Sequence, residues 1–188
     1  MKRVVSVLVV LVALTTGCSF DDGSSEVSGP EERHNGADVQ FAQGMIPHHA
    51  QAVDMARLVP DRAESERVKE LAGDIEAAQE PEIETMSDWL EDWDEPVETG
   101  DAGHDGMGGS GSGLMSEAQL TDLEAASGPE FDRLFLDQMT EHHRGAIEMA
   151  EIELDRGRFG DALGLAERIR ETQSQEVETM KDLLAEVG

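Results

Sequence analysis

Two short stretches carry side chains that could act together: Met45-x-x-His48-His49 and Met139-x-x-His142-His143. Each is followed, six residues after its second histidine, by a further thioether, Met55 and Met149. Imidazole and thioether without thiolate suit copper, since methionine sulfur favours Cu(I) and imidazole accepts either oxidation state. Zinc would prefer cysteine or carboxylate beside histidine, and a di-iron bundle site uses Glu-x-x-His on two helices with two further glutamates. Here Met45 and Met139 stand where that motif has glutamate. A lone histidine on an apolar stripe is commonly a hydrogen-bonded core residue, and methionine at helical spacing is commonly filler. The doubling argues for a ligand set instead. Packing needs only apolar volume, whereas several buried imidazoles cost free energy unless they find partners.

The second stretch is a copy of the first. A shift of 94 lays residues 38–90 over 132–184 without a gap and leaves 20 of 53 positions identical, where ordinary residue frequencies give roughly one in sixteen. Asp38/Asp132, Phe41/Phe135, Ala52/Ala146 and Ala56/Ala150 are retained together with the histidines and methionines. At the ~100° per residue of an α-helix, the retained residues of this segment fall within an arc of roughly 120°. One face of one helix in each copy therefore presents two imidazoles and two thioethers. On the following segments Gln79, Glu82 and Met86 share a face, as do Gln173, Glu176 and Met180. Gln79, Glu82, Gln173 and Glu176 are candidates to orient the imidazoles through their free N–H groups, with Met86 and Met180 auxiliary beside them and direct ligation by Glu82 and Glu176 left open.

Each copy reads as two helices. The first spans about Asp38 to Leu58 and is ended by Val59-Pro60-Asp61, since proline lacks a backbone donor and disfavours helix in the residue before it. The second runs to about Trp93, with Val68, Leu71, Ile75, Gln79, Glu82, Met86 and Leu90 on one side. Pro47 and Pro81 fall inside these helices and predict a kink or an interrupted turn at each. In the second copy Gly157-Arg158-Phe159-Gly160 makes the turn. Between the copies lies Gly100–Gly113, with seven glycines in fourteen residues, a flexible connector by composition. His104 and Met107 within it form a weak metal-binding hint. Ser116-Glu117-Ala118-Gln119 fits a capping box that starts a short helix.

Two hairpins with one apolar stripe each can hide those stripes only against one another. The predicted fold is all-α: a four-helix bundle over 38–188, built from a repeat at 38–93, a connector at 94–115, a short extra helix at 116–126 and a second repeat at 130–187.

Composition narrows the function further. Forty-two acidic against 14 basic side chains give a net charge of −28, which excludes a phosphate-backbone partner, and with no Tyr and two Trp there is no stacking platform for nucleic acid. No nucleophile–base constellation, phosphate loop or nucleotide fingerprint is present, so binding rather than catalysis is expected.

The N-terminus reads as an address. Met1-Lys2-Arg3 precedes the apolar run Val4 to Leu14, far shorter than the ~20 residues that span a bilayer, and residues 1–17 fit a signal peptide. Leu14-Thr15-Thr16-Gly17-Cys18 then resembles a bacterial lipobox, with Thr15 where leucine is usual. Cys18 is the single cysteine, so no internal disulfide can form, and lipidation gives it a role. Residues 18–37 follow as a lipidated cysteine and flexible tether. The expected location is the outer face of the cell membrane or the periplasm.

Phe41-x-x-x-Met45-x-x-His48-His49-x-x-Ala52-x-x-Met55-Ala56 and Phe131-Asp132-Arg133-Leu134-Phe135-Leu136-x-x-Met139-x-x-His142-His143-Arg144-Gly145-Ala146 resemble the bacterial family catalogued as domain of unknown function 305. The resemblance covers roughly residues 36–187. It implies a ferritin-like four-helix fold, export, and copper binding outside the cytoplasm. Carried over position by position, it points to Met45, His48, His49 and Met55 and to Met139, His142, His143 and Met149. The connector here holds fewer Met and His than many relatives, which argues against extra capacity there. The expected function is a lipid-anchored copper-binding protein that buffers, sequesters or hands on copper. Its partners would be the metal ion, the membrane and a copper-delivery partner of unspecified kind. The alternatives are a ferritin-like metal oxidase and a metal-free structural or partner-binding bundle.

Overall fold

Asn35 starts the first helix by accepting hydrogen bonds from the backbone N–H of Ala37 and Asp38, while Asp38 accepts from the Asn35 N–H in return. This reciprocal cap satisfies amides that a helix N-terminus leaves open. The computed structural model describes residues 34–97 and 113–187. The described residues form five helices: α1 (Gly36–Arg62), α2 (Glu66–Asp92), α3 (Glu117–Ala125), α4 (Pro129–Arg156) and α5 (Gly160–Val187). Among them there is no strand, and no helix is long and apolar enough to cross a membrane. Cys18 and the signal and lipobox segments lie outside the described residues, as do His104 and Met107.

α1 and α2 pack extensively as one hairpin and α4 and α5 as the other; α1 lies on α4, and α2 and α5 touch in few places. This is the expected four-helix bundle with its short extra helix. Ser116 caps α3 through the predicted box with Gln119. Gly128, with φ of 63°, turns the chain into α4, and Pro129 follows at the first helical position, where its missing N–H is no loss.

Two boundaries and the two internal prolines differ from the sequence reading. α1 begins at Gly36, so the tether ends before Asn35. It also runs past Pro60 to Arg62, because in a final turn the missing proline donor removes one bond that end fraying would weaken anyway. Pro47 and Pro81 lie within unbroken helices, so neither interrupts a turn. Packing of the apolar faces outweighs one lost backbone bond at each.

The hairpins lock together at their turns. The Asp132 carboxylate, buried at the start of α4, accepts the N–H groups of Glu64 at 3.1 Å and Ser65 at 2.9 Å just before α2. Asp38, buried at the start of α1, accepts those of Arg158 and Phe159, both at 2.9 Å, just before α5. Each hairpin thus holds the turn amides that lead into the other's second helix, which explains why the duplication kept this aspartate.

Apolar packing falls into two clusters. One gathers the C-terminal half of α1, the N-terminal half of α4 and parts of α2 and α5, with Met55, Val59, Ile75, Phe135, Met139 and Met180. The other gathers the opposite halves, with Phe41, Met45, Met86, Leu90, Leu165 and Ile169. The break between them falls at His48-His49 on α1, at Gln79 and Glu82 on α2, at His142-His143 on α4 and at Gln173 and Glu176 on α5. A polar layer crosses the waist of the bundle.

Candidate metal centre

The four histidines of the two motifs are turned inward: His49, His142 and His143 are 0% exposed and His48 is 1%. The rings of His48 and His142 meet across the α1–α4 contact with centroids 3.7 Å apart and planes inclined by 40°. Within each helix the adjacent rings stand at 6.5 Å and 54° for His48–His49 and 6.4 Å and 56° for His142–His143. That agreement shows the two copies reproducing one local geometry.

The carboxylates of the partner helices fix two of the rings. His49 Nε2 lies 2.7 Å from Glu82 Oε2, and His143 Nε2 lies 2.7 Å from Glu176 Oε2. A carboxylate accepts and does not donate, so it places the imidazole proton on Nε2 and leaves the lone pair on Nδ1. Nδ1 of His49 and of His143 is buried and makes no hydrogen bond. Both nitrogens of His142 are buried, and the contact they have is a weak one to the His48 backbone. Burial, then the neighbouring His48, His143 and His49 rings, hold the His142 pKa well below 6.5, so the ring is neutral and its lone pair free of a competing proton. Gln79 Oε1 and Gln173 Oε1 are further buried acceptors without a donor.

Such a concentration of unsatisfied nitrogen and oxygen is uncommon in a core and costs ~1–3 kcal/mol per group. An ion bound by imidazole lone pairs would relieve it, so the donor set fits a soft cation. Among the described residues, no three His, Cys, Asp or Glu side chains already converge as a ligand group. The histidines come together in pairs.

The methionines divide between the clusters. Met45 and Met86 are fully buried on one side of the polar layer, and Met139 and Met180 on the other. Met45 and Met139 lie one helical turn from His48 and His142. The Thr140 hydroxyl donates to Leu136 O and stands 3.7 Å from Met180 Sδ. Met55 and Met149 sit seven residues beyond the first histidine of each pair, ~10 Å along the helix axis. Met55 is buried among apolar residues, whereas Met149 is half-buried at the edge of the other cluster. Between α2 and α5, Gln79, Glu82, Gln173 and Glu176 line a cleft of about 10 Å³, with Ala78 and Thr172 at its rim.

The sequence reading gave no role to Glu153, which is 1% exposed and abuts Asp38. Burial and then Asp38 push its pKa from 4.5 up to about 8. Burial also acts to raise the pKa of Asp38, but bonds from Glu153 and from the N–H groups of Arg158, Phe159 and Asn35 outweigh it and hold that carboxylate below 3.8. The available signal was the alignment of the copies, in which Glu153 falls opposite Val59 on a core stripe.

The pattern of the family described as Domain of unknown function (DUF305) matches residues 38–184. The chain belongs to the DUF305 family. Among solved DUF305 structures, a protein from Streptomyces coelicolor is 38% identical, covers 81% of this chain and 94% of its own, and superposes with a TM-score of 0.73. A DUF305 fragment from Deinococcus radiodurans is 32% identical over 81% of this chain and 97% of its own, also with a TM-score of 0.73. CopM in its Cu(II)-bound form is 34% identical, covers 79% of this chain and 96% of its own, and has a TM-score of 0.67. CopM is also known in Cu(I)-bound and silver-bound forms. A 55-residue stretch is 40% identical to uncharacterized protein L153 of Acanthamoeba polyphaga mimivirus, a match that takes in 29% of this chain and only 36% of that protein.

Proposed function

We propose that this DUF305 protein is an exported, lipid-anchored copper-binding protein that holds copper outside the cytoplasm and releases it to a partner. The observation that carries the reading is the waist layer: four buried imidazoles, with Nδ1 of His49 and of His143 unbonded, enclosed between two methionine-bearing apolar clusters. The likeness to CopM, crystallised with Cu(I), Cu(II) and silver, supports the choice of metal. The likeness to a DUF305 protein described as secreted supports export. The N-terminal apolar run and Cys18 support the signal peptide and the anchor.

In this reading His48, His49, His142 and His143 are the nitrogen ligands, with Met45 and Met139 the nearest sulfur donors. Bound copper supplies a soft acceptor for those lone pairs and thioethers. Glu82 and Glu176 hold the tautomer of His49 and His143, and so aim Nδ1 into the layer. Met55 and Met149, farther along their helices, would enclose the site or give sulfur to a second ion. The protein binds without turnover. Steady-state oxygen consumption with Cu(I) or Fe(II) would favour the oxidase reading instead.

The test is an anaerobic Cu(I) titration against a competing chelator, with X-ray absorption to count sulfur and nitrogen neighbours. Tight binding lost in the H48A/H49A/H142A/H143A variant, with helicity retained, is the expected result. Undiminished binding in that variant would remove the histidines from the site. Radiolabelled fatty acid incorporated into the wild type and not into C18S tests the anchor.

A further inference from the structure

The waist histidines are sealed from water, so any ion that reaches them must pass through the bundle wall. α1 and α4 meet ring against ring at His48 and His142, and the two apolar clusters fill the bundle above and below. α1 packs extensively on α2, and α4 on α5. The remaining seam, between α2 and α5, carries a cleft at the height of the histidines.

We infer that this α2–α5 cleft is a cation inlet, in which Gln79, Glu82, Gln173 and Glu176 form an oxygen-donor station that takes a hydrated cation from solvent before it passes to the imidazoles. The inference rests on the copper-binding reading above and adds a route and a second kind of ligand to it.

Three features carry it. The first is the pair of amide oxygens, Gln79 Oε1 and Gln173 Oε1. Both residues are 3% exposed and line the cleft, and both oxygens lack a donor. A buried acceptor left open is costly, and one cation between two of them would answer both. The second is the pair of carboxylates. The Glu82 and Glu176 side chains are 22% and 15% exposed, yet each touches a fully buried ring at 2.7 Å. They span the wall, with one end in water and the other on His49 or His143. The third is size. About 10 Å³ admits roughly one water-sized body, so an ion must leave most of its hydration shell outside and needs oxygen atoms to replace it. A net charge of −28 concentrates cations at such a mouth.

The duplication bears on the same point. Gln79/Gln173 and Glu82/Glu176 are retained, while Ala78 and Thr172 at the rim differ. The rim is therefore open to substitution without touching the station. Both positions are exposed on helices, so lysine is tolerated there.

The experiment is stopped-flow mixing of the intact protein with Ag(I), paired with equilibrium dialysis for capacity and transfer to a chelator for release. In A78K/T172K, two added positive charges at the mouth should slow uptake at least tenfold and leave capacity unchanged. The slowing should shrink at high salt, and release should slow as well when A78F/T172F covers the opening. A125K/A185K adds the same charge at exposed helix positions away from the cleft and should change the rate less than twofold. Rates in the rim variants equal to those of A125K/A185K would overturn the inlet while leaving the metal reading intact. Wild-type protein that takes up no silver would remove both.

Discussion

Asp38 and Asp132 perform one task in opposite hairpins, each accepting the turn amides just ahead of the other hairpin's second helix, yet their surroundings differ. Beside Asp38 lies Glu153, which burial keeps protonated up to about pH 8, where the other copy has Val59 at the equivalent position. At the waist the copies do not differ in this way: the histidines, Gln79/Gln173 and Glu82/Glu176 are identical, and the ring geometries agree within 0.1 Å and 2°. Ends have drifted where several packing solutions serve. The waist has not drifted, although its residues are poorly satisfied and therefore costly. Identity that stability does not reward is what a ligand site produces.

The end comparison can be broken by pH. An isolated glutamate whose folded pKa is raised from 4.5 to about 8 contributes full stability below pH 4.5 and loses it as pH rises towards 8. Within that window the folded state keeps a proton the unfolded chain has released. The expected slope is ~1.4 kcal/mol per pH unit, reaching on the order of 4 kcal/mol across the window. Asp38 works in the opposite sense, giving stability above 3.8 that is lost as pH falls through its lowered value. Urea unfolding of metal-free protein from pH 7 to 9, above the range in which the buried His142 gives an opposing slope, should therefore show this decline in the wild type. E153V, which copies the other hairpin, should lose it and be the more stable protein at pH 9. Parallel stability–pH curves for the two would show that Glu153 is not held protonated.

A second comparison sets D132A against D38A. D132A leaves the N–H groups of Glu64 and Ser65 without their acceptor, at a cost of about 3 kcal/mol. D38A should cost less at pH 8, because it also relieves Glu153, which can then ionise and accept the same amides. In an E153V background that relief is gone, and D38A should cost as much as D132A. Equal costs for the two single variants at pH 8 would deny any coupling between Asp38 and Glu153.

The waist was legible because residue type and period both pointed inward: Met45, His48, His49 and Ala52 share a face, and the copy repeats it. What a helical projection discards is height. Met55 and Met149 fall in the same arc as the histidines but lie two turns away along the helix, a separation the projection does not show. Partner choice was hidden as well. That His48 meets His142, while His49 and His143 turn to glutamates, depends on how α1 crosses α4, and no single helix encodes that crossing. Pro60 misplaced a helix end for a related reason, since burial of Val59 on the bundle outweighed the local preference against helix before proline. Glu153 was missed because attention followed what the copies share, and it sits where they differ.

The smallest expected effect bears on the waist itself. His142 is neutral and fully buried, with only a weak contact from its ring to the His48 backbone. Leucine of similar size removes two poorly satisfied polar atoms at the cost of one weak contact to the His48 backbone, so H142L should stabilise metal-free protein by about 1 kcal/mol. H143L has the same volume change but strips Glu176 of its partner, and it should destabilise instead. Added Ag(I) should reverse the ranking of H142L and the wild type. The wild type gains stability with ligand concentration, by binding only when folded, and H142L gains less because part of its ligand set is gone. One residue would then be a liability without metal and an asset with it. A thermal melt in which H142L lies below the wild type both with and without silver would instead make His142 an ordinary core residue.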